Sequence, residues 1–317
     1  MVINNIMHPI LSIVIPVFKS AGSLQELAHR LTASLIEITE NYEILLVDDG
    51  SPDQSWEIIQ KIQIQYPKIT AIKLSRNFGQ HSAMKAAIDL SSGDWVVIMD
   101  CDLQDRPEEI IKLYLKAMEG YDVVLGQRSN RQDSFIKKIQ SQFFYLILNY
   151  LTDLNFNSST SNFGIYNKKV IDILKKMPEK LPWYPGMILW TGFKRTTVEV
   201  LHSARRTGES SYNLRKLIHL GMNIIFSTTN KPLIITVKIG FFISFVSFSF
   251  GILIGIRKIF GSSVPPLGWT SLIISIWFLF GLIILNMGIL GLYISRIFNE
   301  AVSRPVYIID EILNFKK

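Results

Sequence analysis

Residues 74–105 read LSRNFGQHSAMKAAIDLSSGDWVVIMDCDLQD. Residues 79–91 of this stretch read as a helix. Trp95–Met99 (WVVIM) is an unbroken apolar run, as a buried strand would be, and it stops at Asp100-Cys101-Asp102. The same alternation continues outward in both directions. Before it, residues 69–74 read as a strand, 52–66 as a helix and Tyr42–Val47 (YEILLV) as a strand that runs into Asp48-Asp49-Gly50-Ser51. Ile10–Val17 (ILSIVIPV) is a further β-branched run, followed by a helical pattern from Ser23. Ser23 is placed to cap that helix, with Glu26 three residues on. After the opening stretch, residues 107–119 read as a helix and Asp122–Leu125 as a strand. Strands alternating with helices predict an α/β fold with a doubly wound, Rossmann-like, mostly parallel sheet. Such sheets bind ligands beyond the carboxyl ends of their strands. The polar clusters of this chain fall there: after the first strand, at Asp48–Ser51 and at Asp100–Gln104. No G-x-G-x-x-G follows the first strand and no P-loop is present, so dinucleotide and P-loop chemistry are not indicated.

Two carboxylates at i and i+2 in a tight turn, Asp100 and Asp102, suit one hard divalent cation. Mg²⁺ favours one or two carboxylates plus substrate phosphates, and Mn²⁺ accepts the same oxygen-rich site. Gln104 adds a neutral oxygen. The alternative for an isolated D-x-D is a solvated turn. Asp48 and Asp49 suit a nucleobase edge or ribose, or alternatively a turn or helix cap. Further on, Arg205-Arg206-Thr207-Gly208-Glu209-Ser210-Ser211-Tyr212 sets paired guanidinium groups beside Gly and Ser. That pattern suits a phosphate, and its alternative is attraction to anionic lipid. Arg128 and Arg131, in GQRSNR, are lesser candidates. His81 and His202 are not matched with a nucleophile and are given no catalytic role.

The chain has 317 residues with a net charge of +7, and 48% of it is apolar against 19% charged. The apolar excess is local. Residues 239–295 carry two charges only, Arg257 and Lys258. Leu233–Ile256 and Leu267–Ser295 each exceed the ~20 residues needed to span a bilayer core. Lys238, Trp269 and Tyr293 lie near their ends, as snorkelling and interfacial residues do. The expected organisation is a cytoplasmic domain at 1–212 and an interfacial amphipathic helix and linker at 213–231. Two transmembrane helices then occupy 232–296 (about 233–256 and 267–295), with a cytoplasmic tail at 297–317. Residues 214–226 and 136–150 both show amphipathic spacing; each reads as an interfacial helix or as a core-facing one. Cys101 is the one cysteine, so an intrachain disulfide and Cys/His zinc clusters are excluded. The N-terminus, MVINNIMHPI, is not a signal peptide. The basic balance is assigned to anionic headgroups and phosphates, with no nucleic acid expected.

The motifs SIVIPVFKSAGSL, LLVDDGS, residues 74–105 and RRTGESSYNLRKL, followed by two apolar spans, resemble a known family. It is the GT-A fold, family 2 polyisoprenyl-phosphate glycosyltransferases, a group that includes dolichol-phosphate mannose synthase and bactoprenol-phosphate glucosyltransferases. The resemblance covers about residues 9–300. It implies that Pro16, Val17, Phe18, Asp48, Asp49 and Ser210 face the nucleotide-sugar donor, that Asp100, Asp102 and Gln104 hold the divalent metal, and that Arg205 serves catalysis. Arg128, Arg131, Arg205 and Arg206 would face the acceptor phosphate.

The implied reaction is inverting transfer of a sugar from a UDP-linked donor to a polyprenyl phosphate such as undecaprenyl phosphate. It would take place at the cytoplasmic face of the inner membrane and supply lipid-linked sugar for cell-envelope or O-antigen glycans. A homo-tetramer is also implied. Relatives commonly read aspartate-Phe-Arg where this chain has Asn162-Phe163-Gly164. Residues 181–190 (LPWYPGMILW) and Ser211 also depart from the pattern, which implies altered sugar or acceptor specificity. Competing readings are a family 2 enzyme acting on another membrane-associated acceptor, a processive polysaccharide synthase and an inactive nucleotide-sugar-binding scaffold. The synthase would normally carry a Q-x-x-R-W motif, which is absent here.

Overall fold

A computed structural model of the chain describes residues 10–128, 144, 146–152, 160–177, 184–203, 221–222, 224–226, 229–260, 268–302 and 304–315. The chain divides into two compact units. One comprises Met1–Leu146, Leu154–Tyr212 and Arg304–Lys317, the other Ile147–Asp153 and Asn213–Ser303.

The first unit is built on an eight-stranded sheet. Its elements run β1 (Leu11–Val17), α1 (Leu24–Ile36), β2 (Tyr42–Asp48), α2 (Ser55–Gln65), β3 (Ile69–Leu74), α3 (Gln80–Leu90) and β4 (Trp95–Ile98). A 3₁₀ turn (Pro107–Glu109), α4 (Ile110–Met118), β5 (Val123–Arg128), β6 (Thr160–Asn167), α5 (Lys168–Lys176), α6 (Tyr184–Trp190), β7 (Arg195–Val200) and β8 (Ile309–Leu313) follow. The spatial order is β7-β5-β6-β4-β1-β2-β3-β8. β1 lies at the centre, buried at all seven positions, and a strand covered on both faces must read as a continuous apolar run. Its side chains alternate between two cores. Leu11, Ile13, Ile15 and Val17 join residues of α1, α2 and α4, such as Leu27, Ile59 and Leu113. Val14 faces the other layer with Ala83 and Ala87 of α3, Val170 of α5 and Tyr184 of α6.

The sheet is mixed, with four parallel pairings and three antiparallel ones among the described residues. β3, β2, β1 and β4 are parallel neighbours, and β5 pairs parallel with β7. β6, however, enters antiparallel between β4 and β5, and β8 closes the other edge antiparallel to β3. Residues 304–317, expected as a tail, therefore belong to the sheet unit. Asn314 fastens this end by donating from Nδ2 to the Pro67 and Ile69 carbonyls, at 2.7 and 3.0 Å. Tyr307 Oη donates to Asp89 Oδ2 of α3 at 3.0 Å. The capping expectation also changes. Ser23 sits at the N-cap of α1, but its hydroxyl makes no cap bond and donates instead to the Cys101 carbonyl at 2.7 Å.

The second unit holds two long helices, α7 (Lys231–Ile259) and α8 (Trp269–Ala301). The Ser275–Ala301 stretch of α8 has a mean hydropathy of 2.1 in its most apolar window and is long and apolar enough to cross a membrane. Within this unit Tyr293 Oη donates to the Thr229 carbonyl at 2.9 Å, and its ring meets Phe226 edge-on. Lys231 Nζ donates to the Tyr150 carbonyl at 2.7 Å and lies over the Tyr150 ring. Most of the two amphipathic stretches, 136–143 and 213–220, lies outside the described residues; 146–150, 221–222 and 224–226 are helical.

Candidate functional site

β1 has β2 on one side and β4 on the other, so the chain order reverses at the β1–β4 seam. In an open α/β sheet that reversal opens a crevice past the strand ends. Pro16 fixes where it begins. The β1–β4 ladder ends with Val14 opposite Ile98 and a bond from Met99 N to Val14 O. The next rung would need an N–H from residue 16, which proline lacks. β1 continues beside β2 to Val17 while β4 turns away. Phe18, just past the strand, is 42% exposed at the mouth.

Around this crevice the loops after β1, β2 and β4 are tied together by hydrogen bonds. Lys19 takes a left-handed φ of 53° and its N–H donates to Ser51 Oγ at 3.2 Å. Ser20 N donates to Ser55 Oγ at 3.1 Å, and the Cys101 thiol donates to Ser20 Oγ at 3.1 Å. Burial pushes the Cys101 thiol up to about 11, so Cys101 is a neutral spacer between two carboxylates.

The Asp48 and Asp49 carboxylates both accept hydrogen bonds from main-chain N–H groups. Asp48 is wholly buried and accepts from Ser51 N at 3.3 Å. Asp49 accepts from Phe78 N at 2.7 Å and Gly79 N at 2.9 Å, one bond on each oxygen. Burial raises both carboxyls, and these hydrogen bonds pull them partly back. Gly50, at φ +62°, has the Arg76–Asn77 main chain within 2.6 Å of where a Cβ would stand, so only glycine admits this approach. The Asp48–Ser51 turn thus shapes the wall of the site through the 75–79 loop.

Asp100 and Asp102 follow β4 directly. Asp100 Oδ1 accepts from Gln80 Nε2 at 2.7 Å, and Asp102 Oδ1 accepts from Gln104 N at 3.1 Å. Leu103, at φ 60°, completes the turn. Among the described residues no group of three or more His, Cys, Asp or Glu side chains could hold a metal ion. The Asp100–Asp102 pair still fits a hard divalent ion that takes the rest of its oxygens from substrate phosphates.

The loop is fastened on its far side by residues to which the sequence assigned no role. His202 Nδ1 lies 2.8 Å from the Gln104 carbonyl, Ser203 N donates to the same oxygen at 3.0 Å, and Arg106 Nε donates to Ser203 Oγ at 2.8 Å. Gln104 therefore contributes its main chain to this staple. Arg205, Arg206 and Ser210 lie outside the described residues, as does Arg131; Arg128 ends β5 opposite Val200 of β7.

His81 is half-buried beside the Tyr184 ring, 6.0 Å between centroids, and desolvation lowers its pKa. Gln80 was also missed, since GQHSAMKAAI reads simply as a helix start.

The departures are partly structural. Phe163 is fully buried, and a Cβ at Gly164 would meet Leu125 Cδ2 at 2.8 Å, Tyr166 Oη at 2.9 Å and the Val124 carbonyl at 3.0 Å. A side chain at 164 has no room in this sheet. Of residues 181–190, Tyr184–Trp190 form α6, and 181–183 lie outside the described residues.

Comparison with known proteins adds the following. Residues 12–174 match the family model of Glycosyl transferase family 2. The chain is 37% identical over 301 residues to the uncharacterized glycosyltransferase YkcC of Bacillus subtilis, covering 95% of this chain and 93% of the relative. It is 36% identical over 314 residues to an undecaprenyl-phosphate 4-deoxy-4-formamido-L-arabinose transferase of Aeromonas hydrophila, covering 98% and 96%. The crystal structure of a mycobacterial protein superposes with a TM-score of 0.50 at 14% identity, covering 69% of this chain and 73% of that one, which shows a shared fold.

Proposed function

The chain belongs to glycosyl transferase family 2, and we propose that it transfers a sugar from a UDP-linked donor to undecaprenyl phosphate or a similar polyprenyl phosphate. The observation that carries this reading is the carboxylate pair Asp100–Asp102 at the β1–β4 crevice. It occurs in a chain 36% identical, over 98% of its length, to a transferase named for undecaprenyl phosphate.

The donor's nucleoside lies along Pro16–Phe18 and the Asp48–Asp49 turn. Asp100 and Asp102, with Gln104, would hold a Mg²⁺ or Mn²⁺ ion. When bound, that ion supplies Lewis-acid neutralisation of the charge that builds on the departing diphosphate. The acceptor needs no strong general base, because a phosphate monoester already carries an ionised oxygen near pH 7. That oxygen attacks the anomeric carbon in line, the bond from that carbon to the diphosphate oxygen breaks, and the nucleoside diphosphate leaves with the electron pair. The anomeric configuration inverts.

What the chain must do is hold two anions together. Arg205, Arg206 and Ser210, with Arg128 and Arg131 as lesser partners, suit that task. Ser203, two residues before Arg205 in the sequence, is fastened to the D-x-D loop, which supports assigning this segment to the same site. α7 and α8 would form two membrane spans in the cytoplasmic membrane, with the sheet unit and residues 304–317 on the cytoplasmic side. Residues 213–231 would lie at the interface.

The test is to incubate membranes carrying the protein with undecaprenyl phosphate and a panel of nucleotide-sugars and to identify lipid products by mass spectrometry. One donor should yield a lipid-linked sugar in wild-type membranes and none with Asp102→Ala. Absence of product with every donor would overturn the reading.

A further inference from the structure

Gln80 is the first residue of α3, and its position is set from three sides. Asp49 holds the two N–H groups just before it, Phe78 and Gly79. Gly79 takes φ +96° with nothing within 4 Å of where a Cβ would stand, so the glycine serves the change of direction into the helix rather than a close contact. Behind Gln80, the Ala83, Met84, Ala86, Ala87 and Ile88 face of α3 is locked into the core. From this fixed start the Gln80 amide reaches out of α3 and donates to Asp100 Oδ1 at 2.7 Å.

Gln80 itself is exposed, so its bond with Asp100 contributes little to the stability of the fold. The chemistry of the donor is informative. An amide orients a carboxylate without neutralising it. Lysine or arginine at the same place would cancel the charge a cation needs, and a carboxylate would repel Asp100. A neutral donor brings no countercharge of its own and fixes where the carboxylate points.

We infer that Gln80 is the positioning residue for Asp100, holding that carboxylate in the orientation that receives a divalent cation, with Asp49 fixing Gln80 through the 78–79 main chain. This rests on the metal reading in the proposed function. Outer partners of this kind typically govern metal affinity by about 10–100-fold.

The experiment is a Mn²⁺ titration of the full-length protein in detergent, reading free Mn²⁺ by electron paramagnetic resonance with UDP present, so it needs no acceptor and no turnover. Gln80→Met keeps the length and loses the donor; Gln80→Asn keeps the amide and loses the reach. Each should raise the Mn²⁺ Kd about tenfold or more. In the transfer assay each should shift Mn²⁺ activation to higher concentration, with kcat recovering at saturating metal. A merely structural role would lower kcat at every metal concentration and leave the Mn²⁺ Kd unchanged, and that result overturns the inference. So does a wild-type Mn²⁺ Kd in either variant that gives wild-type thermal unfolding. Asp102→Ala separates the two levels. If wild-type protein binds Mn²⁺ and Asp102→Ala does not, the metal reading stands and the Gln80 variants judge Gln80 alone. If Mn²⁺ binding is absent or indifferent to Asp102, the metal reading and the Gln80 inference fall together.

Discussion

Ile44 in the middle of β2 is wholly buried, whereas Ile284 in α8 exposes 65% of its surface. The same contrast runs through the two units. Val97 and Phe163 in the sheet have no exposed surface, while Phe241 in α7 and Trp277 in α8 expose about three quarters of theirs. Water drives apolar side chains inward, so a long helix that carries them outward fits the membrane role proposed for α7 and α8. A helix is suited to that role because it satisfies its own backbone polar groups. The polar groups differ correspondingly. In the sheet unit, Asp49, Asp100 and Asp102 are hydrogen-bonded at loop ends, where they shape a crevice. The proposed chemistry is concentrated in one unit and the proposed attachment to a lipid phase in the other, and each can be tested separately.

The largest effect should come from Asp102→Ala. It should cost transfer about 10³-fold, the equivalent of several kcal/mol of lost charge stabilisation, while carbonate-resistant membrane association stays intact. Loss of both together would mean that the units are not separable in this way. Next in size, Ile44→Ala should destabilise the sheet unit by about 2–5 kcal/mol in thermal unfolding of the detergent-solubilised protein. Ile284→Ala should fall within about 0.5 kcal/mol of wild type in the same measurement. Equal losses would dissolve the contrast.

Ile284→Lys should oppose membrane insertion by about 2.5–3.5 kcal/mol, seen as an increased carbonate-extractable fraction. Unchanged extraction would remove α8 as a span. The smallest effect belongs to Tyr307→Phe, which deletes the hydrogen bond from the start of the C-terminal strand segment to Asp89. A loss of about 1.5 kcal/mol in the unfolding of the sheet unit is expected, with no change in membrane association. This would place the residues after α8 energetically with the sheet.

The parts of this arrangement that could be read from the sequence share one property: each is written in a short window. WVVIM, ILSIVIPV and YEILLV announce buried strands because a strand covered on both faces has no polar side. The Asp100–Asp102 pair is legible because two carboxylates at a strand end stand out against such runs. The apolar character of α8 is legible for the same reason. β6 was not, because nothing local in TSNFGIYN tells an antiparallel insertion between β4 and β5 from any other strand. β8 was not, because its partner β3 lies more than 230 residues earlier in the chain, as the bonds from Asn314 to Pro67 and Ile69 show. Ser23 looked like a helix cap by its neighbours, yet its hydroxyl donates to Cys101, 78 residues away.

The sequence by itself determined which segments between residues 10 and 125 are strands or helices, that one stretch is strongly apolar, and which carboxylates stand at a strand end. Those properties follow from periodicity and composition within a few residues. Only the tertiary structure decided that β1 and β4 part at Pro16 to open the crevice, that Asp49 fixes a neighbouring loop, and that Gln80 aims Asp100. It also decided that His202 and Ser203 bind the Gln104 carbonyl, which brings the segment before Arg205 to the D-x-D loop. Those are hydrogen bonds between groups far apart in the chain, and they exist only after the sheet has chosen its strand order. Apolar periodicity tells a strand which face to bury but not which neighbour to take.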